Sequence, residues 1–303
     1  MTATVSTPKK ESPRLGSVGL RFRSILVATD CLPASEAAVR LAARLAKECH
    51  ATLYVLHSIL PEFYGVDMRG AVPEFAATDL KNGRENLHRY VEHIPELRTV
   101  KHKETAFLGS AIEAIQSAGE SNGIDLLVLG SHGRHGLAKL TLGSVAEWAI
   151  RRLTYPVLVA GPSCDKTIGP IRSIVLATHL SQQASRPALY ASSLAQDNNA
   201  RLTVMHVLPQ AATMDEQYQA ESITHKKLHQ FVPNDCEDAC TLEFEVGTGE
   251  IAPAILHSAQ VNKASLIVLG ARHGGPLADH IPRTKISAII RGSHCPVLVV
   301  PTQ

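Results

Sequence analysis

Three glycines and a serine stand at Gly130, Gly133, Gly143 and Ser144, a Gly-x2-Gly-x9-Gly-Ser spacing in the first half of the chain. Glycine tolerates positive φ in a tight turn and lets bare backbone approach a bulky anion, because it has no Cβ. Gly143 and Ser144 open a helical stretch from Val145 to Arg152, whose first amides have no intrahelical partner and whose dipole is positive at that end. A helix start of this kind attracts phosphate. Ser144 adds a hydroxyl, as a helix cap or as a donor to the ligand. A turn explains any one of these glycines. Four features in one place point to the cradling of a phosphate-bearing ligand.

Such a cradle needs a frame. Short β-branched runs predict strands near 24–29, 52–58, 99–107, 125–130 and 156–160, separated by helices near 34–48, 74–93, 109–122 and 143–152. The helix 34–48 carries Ala38, Leu41, Ala42, Leu45 and Ala46 at helical spacing. Leu126 to Leu129 is apolar on both faces, as a central parallel strand requires. Alternation of this kind predicts an α/β fold with a doubly wound parallel sheet. Ligands of such sheets bind outside the carboxyl ends of the strands where the order reverses. For five strands in the order 3-2-1-4-5 those are strands one and four, which end in Ala28-Thr29-Asp30 and in Gly130-Ser-His-Gly133.

The frame is written twice. Asp125-Leu-Leu-Val-Leu-Gly-Ser-His132 returns as Ser265-Leu-Ile-Val-Leu-Gly-Ala-Arg272, and Pro156-Val-Leu-Val-Ala160 as Pro296-Val-Leu-Val-Val300, both 140 residues on. Nearer the start the offset is 149: Ser24 to Asp30 matches Ser173 to His179, and Ala51 to His57 matches Ala200 to His206. The second copy is therefore nine residues shorter, a loss expected in the loop-rich stretch 62–73. Two prolines and two glycines between Gly161 and Pro170 mark a linker. The expected organisation is a disordered tail over 1–21, a domain over 22–161, a linker over 162–170 and a second domain over 171–301.

The glycine pattern, together with Ile25 to Asp30, His57 after strand two and Pro156-Val-Leu-Val, resembles the universal stress proteins in their tandem form. The resemblance spans nearly all of 22–301. It implies two tandem five-stranded domains of the adenine nucleotide alpha hydrolase-like fold, and ATP as the ligand. By position it places Ala28 and Thr29 against adenosine, Asp30 against ribose, Ser58 beside adenine, and Gly130, Gly133, Gly143, Ser144 and the amide of Val145 around the phosphates. Ser58 departs from the apolar residue common at its place, although a backbone contact to adenine survives the change. His132 lies between the two loop glycines and is read as phosphate-adjacent. Mg2+ enters, if at all, with the nucleotide and near Asp30. The resemblance also implies that last strands pair across a two-fold, here within one chain as a pseudo-dimer, with a homodimer left open.

The second copy departs at the mouth. Gly133 becomes His273, Gly143 becomes Arg283 and Asp30 becomes His179, while Gly270 and Thr284 persist. A β-carbon fills the space a phosphate needs. Gly274 and Gly275 come one and two places late. ATP is therefore expected in the first copy only.

Several other features are weaker. Gly247-Thr-Gly-Glu-Ile-Ala252 outlines a dinucleotide fingerprint but follows strand three, so a strand-to-helix turn is the better reading. His132 and His135 lack a third ligand. His57 and His206 end equivalent strands and are read as structural. Arg134 and Lys139 fit a triphosphate tail or a solvated loop equally well. The segment 217–231, with His225, Lys226, Lys227 and His229, reads as a surface face. Cys236 and Cys240 form at best half a metal site; six scattered cysteines in a long chain read as free thiols.

Composition bounds the classes of function. The 303 residues carry a net charge of only +2 and 4% aromatics, which argues against nucleic acid as a partner. Apolar runs are strand-sized, which argues against a membrane span. Residues 1–22 have no apolar h-region, so a cytoplasmic location is expected. The leading expectation is a stress-response protein that binds ATP in its first domain and works as a nucleotide-dependent regulatory or interaction module. A slow ATPase or an enzyme that phosphorylates itself at Ser144 or a neighbouring hydroxyl is the first alternative, weakened by the missing Walker lysine and paired metal carboxylates. A ligand-free assembly scaffold built on the last strands is the second.

Overall fold

The computed structural model describes residues 22–60, 72–130, 142–164, 169–181, 184–231, 240–272 and 283–302. The first copy runs β1 (Ser24–Thr29), α1 (Glu36–Cys49), β2 (Thr52–Ile59), α2 (Val72–Glu92), β3 (His102–Leu108), α3 (Ala111–Asn122), β4 (Leu126–Gly130), α4 (Ser144–Arg152) and β5 (Val157–Ala160). The second runs β6 (Ser173–Ala177), α5 (Ser185–Asn198), β7 (Arg201–Leu208), α6 (Met214–Phe231), β8 (Leu242–Thr248), α7 (Ile251–Val261), β9 (Leu266–Arg272), α8 (Arg283–Gly292) and β10 (Val297–Thr302).

The strands form one sheet in the order β3-β2-β1-β4-β5-β10-β9-β6-β7-β8. Each half is parallel and follows the order 3-2-1-4-5. The halves meet where β5 and β10 pair antiparallel, Leu158 opposite Leu298. Apolar side chains alternate to the two faces and are covered by helices on both, giving two core layers that each extend through both halves. All of Leu126 to Leu129 is buried, as a strand covered on both faces must be.

Local sequence sets the helix ends. α1 buries Ala38, Leu41, Ala42, Leu45 and Ala46 on its sheet side and stops at His50, in the left-handed region at φ 54°. α3 starts with a capping box: Ser110 accepts from the Glu113 amide, while the Glu113 carboxylate accepts from the Ser110 amide. That cap moves the helix start to Ala111, two residues beyond the expected 109. The third strand also begins late, at His102 against the expected 99, because Pro95–Thr99 wind into a 3-10 turn that buries Leu97. The shorter second copy is only partly explained by its loop. Val72 and Pro73 are already helical, and α2 has 21 residues against 18 in α6. Gly249, at φ 91°, turns the end of β8 into α7, which makes the dinucleotide-like stretch a strand-to-helix turn at the sheet's edge.

Contacts beyond the seam tie the halves. Arg186 of α5 donates to the Thr154 carbonyl at 3.0 Å and to the Pro301 carbonyl at 3.1 Å. Ser163 donates to the Arg291 carbonyl at 3.0 Å, and the Phe22 and Tyr190 rings stack at 5.9 Å. A β-carbon at Gly161 would collide with the Ile290 carbonyl oxygen, so glycine is the residue this crossing admits.

Candidate nucleotide site

β1 and β4 are neighbours, with Val27 opposite Val128, so Thr29 and Gly130 end adjacent strands at the reversal of strand order. Ala28, Asp30, Ser58, Gly130, Gly143 and Val145 are half-buried there or at the ends of neighbouring elements, and Ser144 is exposed. Ser58 sits near the end of β2, opposite Phe107 of β3. His132 and Gly133 lie outside the described residues, as do His135, Arg134, Lys139, Cys236, His273, Gly274 and Gly275.

The turn after β1 is built from hydrogen bonds. Thr29 is buried, and its hydroxyl accepts from the Cys31 amide at 3.0 Å and meets the Ser35 hydroxyl at 2.7 Å. Ser35 donates to the Leu32 carbonyl at 2.8 Å and lies 3.1 Å from the Tyr90 hydroxyl of α2. Burial of the Tyr90 ring raises its phenol pKa, opposed by the hydrogen bonds to Ser35 and Thr29. His57 Nδ1 donates to the Thr29 carbonyl at 3.0 Å, the structural role read for it from sequence. Thr29 thus turns its side chain into the protein. The Thr29–Ser35–Tyr90 chain escaped sequence reading; its trace was a phenol on the helix face that also buries Leu87 and Val91.

Asp30 is different. Its Oδ1 accepts from the Leu32 amide at 3.1 Å, which closes an Asx turn. Its Oδ2 is buried without a hydrogen-bond partner among the described residues. A carboxylate oxygen in that state is costly unless something completes it. At the start of α4 the N-cap residue is Gly143, in extended conformation at φ −60° and ψ 144°. With no side chain to accept from the first amides, that helix end leaves donors for a ligand.

The second copy repeats the turn with other residues. The Thr178 hydroxyl accepts from the Leu180 amide at 3.1 Å, and His206 Nδ1 donates to the Thr178 carbonyl at 2.6 Å. His179 Nδ1 accepts from the Ser181 amide at 3.3 Å, taking over the turn that Asp30 closes. Ala184 stands where Ser35 does. A β-carbon at Gly270 would meet Pro187 at 3.0 Å and Thr302 at 3.1 Å. β9 runs on to Arg272, which pairs with Thr302.

A doubly wound sheet used twice, with a strand-order reversal in each half, makes this a tandem α/β protein of the kind that carries its ligand site at the strands' carboxyl ends. The model of the Universal stress protein family matches residues 21–161 and 170–301, and the chain belongs to that family. A universal stress protein of Methanocaldococcus jannaschii is 30% identical over 139 residues, which cover 46% of this chain and 81% of the relative. Universal stress protein A homolog 1 of Coxiella burnetii is 30% identical over 141 residues, 46% of this chain and 96% of its own. Among solved structures, a universal stress protein from Archaeoglobus fulgidus superposes with a TM-score of 0.68 over 92% of this chain and 98% of its own, at 17% identity, a likeness of fold. Among the described residues, no helix is long and apolar enough to cross a membrane.

Proposed function

We propose that the chain is a cytoplasmic stress-response protein whose first copy binds ATP and whose contacts with partners depend on that occupancy. The observation that carries this reading is Asp30 Oδ2 at the end of β1, buried and without a partner among the described residues. A ribose hydroxyl is the donor that would complete it, and a Mg2+ ion carried on the phosphates is the cation it would tolerate. The α4 start, with Gly143 as its N-cap, supplies amides and a positive dipole end for phosphate. Gly130, His132, Gly133, Ser144 and Val145 form the remainder of the proposed phosphate contacts. Ala28, the Thr29 backbone and Ser58 would frame the nucleoside. The second copy would bind no ATP, because His179 puts Nδ1 into the turn and offers no carboxylate in place of Asp30, and Arg283 replaces the N-cap glycine.

The test is calorimetric titration of ATP into the full chain and into its Gly133→His and Gly143→Arg variants, which install the second copy's residues in the first. Each lost charge-assisted hydrogen bond to phosphate is worth roughly 1.5–3 kcal/mol, so affinity should fall about a hundredfold. Equal affinities in all three proteins would end the proposal.

A further inference from the structure

Away from the switch points, α6 and β8 hold a side-chain arrangement that the nucleotide reading does not use. His225 and His229 are one helical turn apart on α6 and both are exposed. Their ring centroids lie 4.9 Å apart, with the planes inclined at 55°. Phe244 of β8 backs both rings, 3.9 Å from His229 and 6.2 Å from His225.

The first copy shows what this arrangement replaced. His88 of α2 faces Glu104 of β3 at 3.2 Å and Glu92 at 3.6 Å. His88 and His229 correspond, since each follows the buried leucine of its helix, Leu87 or Leu228, and each faces the third strand at the matched pair Glu104 and Phe244. One turn earlier stand Arg84 in the first copy and His225 in the second. A carboxylate has become a ring, and a guanidinium has become an imidazole. The first copy sets its histidine against two carboxylates; the second sets two imidazoles side by side.

We propose that His225 and His229 chelate a borderline divalent cation of the Ni2+, Cu2+ or Zn2+ type, each through one ring nitrogen. Residues four apart on a helix share a face, and two histidines so spaced can grip one ion. Imidazole is the side chain these metals favour, at about 2.0–2.1 Å for zinc. Phe244 restricts the rings before the metal arrives, so less rotamer freedom is lost on binding. Glu221, one turn earlier, is held by Gln217, whose amide donates to it at 2.7 Å. Among the described residues no third His, Cys, Asp or Glu completes a set. The remaining coordination positions therefore belong to water or an incoming donor, as in open metal sites.

The experiment is a titration of Ni2+, and separately Zn2+, into the metal-stripped full chain in competition with a chromophoric chelator. The wild-type chain should take up one Ni2+ at least about tenfold more tightly than His225→Ala or His229→Ala, because a chelate falls to a single ligand. His229→Gln, which keeps a planar group over Phe244, should lose as much, and His88→Ala should lose nothing. Circular dichroism checks that each variant is folded; both positions are exposed. Unchanged uptake in the variants at positions 225 and 229, including uptake carried by cysteine thiols, would overturn the proposal.

Discussion

In both copies the residue two places after the buried threonine sits in the left-handed region, Cys31 at φ 60° and Leu180 at φ 58°. In both, a histidine from the second strand donates to that threonine's carbonyl. The turn is the same object twice. Its outward face is not: Asp30 presents a buried oxygen with no partner among the described residues, whereas His179 puts its Nδ1 into the turn. The half of a turn that holds the sheet end together survives duplication because every fold of this kind needs it. On the proposed reading, the half that faces a ligand would be free to drift in the copy that binds none.

The comparison is sharpest where the copies touch. Leu158 and Leu298 oppose each other across the seam and both are buried. Leu158→Ala and Leu298→Ala should each cost about 2–5 kcal/mol, by lost burial and by the cavity left behind. Chemical denaturation should show both copies unfolding in one transition. A variant in which one half melts while the other stays folded would break the reading of the sheet as a single unit.

A smaller effect separates the mouths. Asp30→His, which copies the second turn into the first, should raise the ATP dissociation constant roughly tenfold to hundredfold by removing a charged acceptor. The reciprocal His179→Asp should create no measurable binding, since Arg283 remains. Calorimetry on both variants decides it, and a gain of binding in His179→Asp would mean that the acidic residue alone divides the copies.

The smallest concerns the support beneath the turn. Ser35→Ala, which gives the first copy the residue of the second, should cost about 1 kcal/mol, because the hydroxyl that links Thr29, the Leu32 carbonyl and Tyr90 is lost. Ala184→Ser should change stability by less, as no tyrosine is paired with that position. Thermal melts of the two variants test this asymmetry; equal shifts would show that the Tyr90 link contributes nothing.

Periodicity and internal repetition made most of the fold legible. Leu126 to Leu129, apolar on both faces, marked a central parallel strand, and the alanine and leucine spacing marked α1, while the order of the strands was fixed by neither. What escaped was set by local competition or by distant partners. The 3-10 turn at Pro95–Thr99 took residues from the third strand. The Ser35–Tyr90 contact joins residues 55 apart that no spacing rule relates. Arg186, which ties two carbonyls from different halves, belongs to no motif in the sequence. At the candidate site, the glycines fixed where to look, while the state of Asp30 needed coordinates, since burial of one carboxylate oxygen depends on packing.

The antiparallel junction of β5 and β10 turns the two half-sheets head to tail, so the carboxyl ends of β1 and β4 open on one rim and those of β6 and β9 on the other. Any body seated on one rim would therefore meet the strand ends of a single switch point, and touching both would require it to span the full length of the strands.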